Sequence, residues 1–193
     1  MYDRETDSLW VHVTGRAEAG TRKGWQLRLM PSTVTTWAQW KRLHPDSLVL
    51  DSRRRGGFMG TYTGVDSPGG IGLAVIVWGS AKLYPFERLA RRPVVNDTVR
   101  ESPVLVVYSR EEGTAKAWSR VVDGRTLTFV RGADSPPGGT FTVRDRETGS
   151  EWSWLTGEAV GGPLAGRALE YASHHPILSR RFSGFYPDGP IMK

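Results

Sequence analysis

The chain repeats itself once, at a single spacing, and this constrains its fold more than its composition does. Residues 3–10 read Asp-Arg-Glu-Thr-Asp-Ser-Leu-Trp, and residues 145–152 read Asp-Arg-Glu-Thr-Gly-Ser-Glu-Trp, an offset of 142. The same offset, without a gap, pairs Thr14-Gly15 with Thr156-Gly157, Ala17 with Ala159, Gly20 with Gly162 and Leu27 with Leu169. It also pairs Pro45-Asp46 with Pro187-Asp188. A period of this length signals a duplicated domain, because solenoid repeats run about 20–50 residues. The copies differ in extent. A long β-rich stretch, 71–142, precedes the second copy, whereas the first starts at Met1. The expected organisation is the C-terminal half of a first unit over 1–50, a Gly-rich connector over 51–70, and a complete second unit over 71–193. Either the first unit has lost its N-terminal half or the frame is a fragment of a longer protein.

The apolar period predicts a mainly β protein, α+β with few short helices. Phe141 to Arg146 and Glu151 to Thr156 alternate around Glu147-Thr148-Gly149-Ser150, a hairpin with Gly available for positive φ. The first copy has Asp7 at the Gly149 position, and Asp tolerates left-handed geometry. Further strands are expected over Gln26–Leu29, Leu73–Trp78, Val104–Tyr108, Ala115–Arg120 and Arg125–Val130. Helices are expected from Thr36 through Leu43, over Pro85–Ala90, and over His175–Phe185. Asn96-Asp97 reads as a tight turn.

Composition removes several function classes. Without Cys there is no thiol nucleophile, disulfide or thiolate metal site in these residues. The longest apolar stretch, Ile71 to Trp78, is far short of the ~20 residues that a spanning helix needs. Met1-Tyr-Asp-Arg-Glu does not open a signal peptide. The net charge is +6, with 21 Arg against 5 Lys. Only Arg53-Arg54-Arg55 forms a run, whereas a nucleic-acid surface clusters its charge on one face, so nucleic-acid binding is not expected.

Several strings together point to a family. They are Thr36-Trp-Ala-Gln-Trp40, His44-Pro-Asp46, Ala81-Lys-Leu-Tyr-Pro85, Val95-Asn-Asp97, Val122-Asp-Gly-Arg-Thr-Leu-Thr-Phe129 and Thr156-Gly-Glu-Ala-Val-Gly-Gly-Pro-Leu-Ala-Gly166. In this order they resemble the bacterial and archaeal "domain of unknown function 3179" family over nearly the whole chain. The resemblance implies two units in tandem and an extracytoplasmic location. It implies no established activity. The family's first unit carries a Cys-Pro-Leu-Cys stretch after the strand that follows Asn-Asp. The matching region of unit two is Val106-Val-Tyr-Ser-Arg-Glu-Glu-Gly113, without Cys. The family's late aromatic segment is reduced to Ser173-His-His-Pro-Ile-Leu-Ser-Arg-Arg-Phe182.

The candidate site residues each have a plainer reading. Glu158, with Asp145 and Glu147, could supply paired carboxylates for acid–base work, but Arg16 occupies the Glu158 position of the first copy. Asp97 is a further catalytic candidate and Asn96 a ligand-binding one. Trp10, Trp152 and Trp154 could form a stacking platform, although Trp at period-two hairpin positions is first of all packing. His174-His175 would point to opposite faces of a strand, so no metal site is expected. No cofactor is implied. The expected function is a non-enzymatic binding or assembly module built on duplicated Trp-containing hairpins. The alternative is an enzyme with a carboxylate site, Glu158 and Asp145, between the two units. The truncated unit leaves apolar surface for a partner, either the missing N-terminal half or a second copy in a homo-oligomer.

Overall fold

A computed structural model of the chain describes residues 1–30, 32, 35–48, 70–133 and 141–193. The connector expected over 51–70, apart from Gly70, and the basic run at 53–55 lie outside the described residues. The first part holds β1 (Tyr2–Asp3), β2 (Ser8–Val11), β3 (Arg16–Ala19) and α1 (Trp37–Leu43). Then come β4 (Ile71–Val77), β5 (Ser80–Pro85), α2 (Phe86–Leu89), β6 (Val94–Val99), β7 (Ser102–Ser109) and β8 (Thr114–Ser119). Short strands β9 (Val121–Val122), β10 (Arg125–Thr126) and β11 (Phe129–Arg131) lead into β12 (Thr142–Asp145), β13 (Glu151–Ser153) and β14 (Ala159–Gly161). The chain closes with β15 (Ser173–Leu178) and α3 (Ser179–Phe185). The fold is mostly β, with three short helices among the described residues and small antiparallel sheets.

The second part is layered. Helix α3 covers one face of the sheet β15-β4-β5, where Phe182 and Ile177 pack on Ala74, Ala81 and Leu83. The other face of that sheet packs on β6-β7-β8 through Leu73, Val75 and Tyr84 against Val95, Val104 and Val106. The far face of β7 and β8, carrying Leu105, Val107 and Trp118, meets the sheet β11-β12-β13-β14 through Phe129, Val143 and Trp152. Strand β7 is therefore buried on both faces, which is why Val104 to Tyr108 is an unbroken apolar run. Each such side chain contributes roughly 1.5–3 kcal/mol of burial.

Three expectations are corrected. Asn96 and Asp97 lie inside β6, paired to Leu105 and Val104, and not in a turn. The expected helix over His175–Phe185 starts only at Ser179; His175 to Leu178 belongs to β15, which pairs with β4 over six residues. Pro176 disfavours helical geometry at His175, and the edge position of β15 accommodates a residue without an N–H. Gln26 to Leu29 forms a single bridge, Arg16 to Gln26, and not a strand.

The two parts touch through named contacts. Val13 packs into the core under α3, and the Ser32 amide donates to the His174 carbonyl at 3.2 Å. Arg42, in the last turn of α1, pairs with the buried Glu112 at 2.6 Å.

Candidate functional site

The two hairpins are built alike, residue for residue. Positive φ falls at Asp7, Gly15, Gly20 and Gly24, and again 142 residues on at Gly149, Gly157, Gly162 and Gly166. Each hairpin has a register shift before its tryptophan, Leu9/Trp10 and Glu151/Trp152. Backbone closures also coincide: Gly24 N–H to Ala17 O and Gly166 N–H to Ala159 O, Leu27 N–H to Gly15 O and Leu169 N–H to Gly157 O.

An aspartate braces each turn. Asp145 accepts from the Thr148 amide at 2.6 Å, from the Thr148 hydroxyl and from the Trp152 indole at 2.8 Å. Asp3 accepts from the Glu5 and Thr6 amides and from the Thr6 hydroxyl. The Ser8 hydroxyl accepts from the Arg22 amide, as Ser150 does from that of Leu164. Burial alone would raise the Asp145 carboxyl. The bonds from Trp152 and Thr148 outweigh it and hold that group below the ordinary aspartate value. Asp145 is thus ionised, enclosed and fully engaged.

The other candidates separate. Glu158 is exposed; its carboxylate accepts from the Thr156 hydroxyl at 3.4 Å and shares no partner with Asp145. Both acids sit in the second hairpin. Asn96 uses both ends of its amide on the backbone of Phe129, at 2.7 Å each, and clips β6 to β11. Asp97 accepts from Lys82 Nζ at 2.7 Å and from Tyr84 Oη at 2.9 Å. Burial opposes its ionisation, but Lys82, the Thr98 amide and Tyr84 together hold its carboxyl low. Burial and Asp97 push the Tyr84 phenol upward. Trp10, Trp152 and Trp154 are all buried, with Trp154 stacked on Phe141 and Trp152 edge-on to Phe129.

A group of which only His174 was singled out from the sequence lies between β8 and β15. Lys116, buried, donates to Leu155 O at 2.7 Å and stands 3.5 Å from Tyr171 Oη. Burial holds its ammonium below the ordinary lysine value. His174 is enclosed beside it, its Nδ1 on Ala172 O at 2.7 Å and its Nε2 without a partner. Burial pushes His174 down to about 4. Among the described residues neither this amine nor this imidazole is paired with an acid, and of the three side chains only Tyr171 is exposed. Its signal was available: Lys116 shares the inward period of β8 with Trp118. The exposed tryptophans are others: Trp25, Trp37, Trp40 and, most open of all, Trp78. Among the described residues no group of three or more His, Asp or Glu is placed to hold a metal ion, and no helix is long and apolar enough to cross a membrane.

A family model described as "Protein of unknown function (DUF3179)" matches residues 1–64 and 69–193. No curated protein and no solved structure matches the chain.

Proposed function

This chain belongs to the DUF3179 family, and from that premise we propose that it is a non-enzymatic assembly module that pairs with a second copy through its first hairpin. The observation that carries this reading is the difference between two equivalent cross-strand pairs. In the second hairpin Arg144 lies opposite Glu151, a charged pair suited to water. The same positions of the first hairpin hold Tyr2 opposite Leu9, and these are 62% and 50% exposed. Strand β12 is flanked by β11, whereas β1 ends its sheet among the described residues. Leu27 is 45% exposed where its counterpart Leu169 is 4%. An unpaired edge beside exposed apolar side chains is a template for a further strand. Pairing β1 with its symmetry mate around a two-fold axis covers both edges at once.

Sedimentation velocity of the full chain over a wide concentration range tests this. A species of twice 21.4 kDa is expected, and Tyr2→Lys with Leu9→Lys converts it to a folded monomer. A monomer at every concentration, or a dimer that survives both lysines, overturns the reading.

The carboxylate enzyme is the weaker reading. Asp145 has its oxygens committed to Thr148 and Trp152, and Glu158 lies apart from it on the surface.

A further inference from the structure

Trp78 and Gly79 form the two-residue turn between β4 and β5, with φ of +49° and +77°. Two successive left-handed residues make a type I′ turn, where Asn, Asp and Gly are at home and a bulky aromatic is strained. Strain of this kind persists when something else requires the side chain. Packing does not require it, because Trp78 is 83% exposed. The turn itself is braced: Arg100 Nη1 donates to the Trp78 carbonyl at 2.8 Å. A fixed backbone therefore presents a free indole.

Trp78 borders a groove of about 690 Å³ between the first hairpin and the α3 face of the sheet β15-β4-β5. Arg16, Glu18, Gln26 and Arg28 line one part of it, and Ile76 and Tyr186 another. Gln26 Nε2 donates to Thr14 O at 2.7 Å and to Leu27 O at 3.0 Å, which fixes the amide and leaves Oε1 to accept. Arg16 lies 3.7 Å from Glu18. Arg28 is exposed and pairs with no carboxylate among the described residues.

We propose that this groove binds an acidic oligosaccharide. A pyranose ring presents polarised C–H bonds on one face and hydroxyls around its rim. An aromatic face carries negative charge density that attracts such C–H groups. Glu and Gln side chains accept from sugar hydroxyls, and Arg donates to them in pairs. The groove sets charged and amide side chains beside apolar ones, which suits the two kinds of surface that a sugar presents. Two arginines against one glutamate favour a uronate carboxylate over a neutral sugar. The site uses neither β1, Tyr2 nor Leu9, so its test stands apart from that of the assembly reading.

The experiment is titration calorimetry of the full chain with tetragalacturonate and with the neutral galactotetraose. Tetragalacturonate is expected to bind more tightly. Trp78→Asn removes the ring and supplies a residue at home in left-handed geometry. It should weaken binding by about tenfold or more while leaving the melting temperature equal or higher. Arg28→Gln should weaken the acidic ligand by a larger factor than the neutral one. The proposal is overturned if neither sugar binds, if binding survives Trp78→Asn, or if both sugars bind equally. It is also overturned if Trp78→Asn weakens binding only by unfolding the chain, seen as a fall in melting temperature.

Discussion

Trp152 donates its indole N–H to the Asp145 carboxylate at 2.8 Å, and both residues are wholly buried. An acid that a sequence reader would offer to catalysis is here the hub of a turn. It gathers an amide, a hydroxyl and an indole from residues 145–152, and these bonds stabilise its charge without an ion pair among the described residues. The first hairpin repeats the arrangement around Asp3 at the surface, so the duplicated string encodes a turn brace rather than a pair of reacting groups.

Replacing Asp145 by Asn keeps the shape but turns one acceptor oxygen into a donor facing donors. About 2–4 kcal/mol of stability should be lost, since bonds to a charged group are the stronger kind and the orphaned partners stay buried. Urea unfolding of the full chain reads this as a lower midpoint. Asp3→Asn, at the exposed turn, should move the midpoint much less; an equal shift would place the brace elsewhere.

Gly162 has φ +87°, and a Cβ there would come within 2.7 Å of the Ser150 Cα. Gly149 has φ +74° but opens on free space. Gly149→Ala should therefore cost only the left-handed conformation, about 1 kcal/mol. Gly162→Ala adds a backbone collision and should cost about 3 kcal/mol or more. Thermal melts of the two variants check the order, and equal shifts would contradict it.

His174 links stability to pH. Its Nδ1 faces a carbonyl, which can only accept, so the buried ring carries its proton there and keeps Nε2 bare. Burial holds its native pKa at about 4 against 6.5 unfolded, so the unfolded chain takes up a proton that the native chain refuses. Stability should fall as pH drops from 6.5 towards 4, by on the order of 3 kcal/mol. His175 is shifted in the same direction, chiefly by burial, and adds to the slope. Asp145 and Asp97, held low, lose their contribution only at more acid pH. Urea midpoints at pH 7 and pH 5 should differ less in His174→Gln than in the parent chain; an unchanged difference would remove His174 from the account.

The hairpins were legible because their signals are local. Gly149 and Asp7 take the left-handed geometry that the turn demands, and alternation around them sets the strands. Strand β7 was legible from its apolar run, α1 from its period and α2 from Pro85 at its first turn. What escaped depends on long-range pairing. Asn96 sits in a strand because its amide finds the Phe129 backbone 33 residues away, and no local rule gives that. His175 to Leu178 is drawn out of the helix by β4, a hundred residues earlier. The candidate tryptophans followed hairpin period correctly into the core, which removed them as a binding platform. Trp78, beside a glycine at the end of an apolar run, looked like the last residue of a strand, and only the turn geometry sets it apart.

Trp152 and Trp154 are two residues apart, equally buried and alike in volume, but their indole nitrogens differ. Trp152 Nε1 is bonded to Asp145, whereas Trp154 Nε1 is buried without a partner. Trp→Phe removes similar apolar area at both positions, so the lost packing cancels in the comparison. At 152 the change also strips a donor from a buried carboxylate; at 154 it removes a polar group that was never paired. Trp152→Phe should therefore cost about 1–3 kcal/mol more than Trp154→Phe. The extra cost should disappear when Asp145→Leu is introduced alongside, since the acceptor is then gone. Equilibrium unfolding of the parent chain, Trp152→Phe, Asp145→Leu and the double variant forms a double-mutant cycle, and a coupling of zero between Trp152 and Asp145 would show that the bond does not stabilise the hairpin.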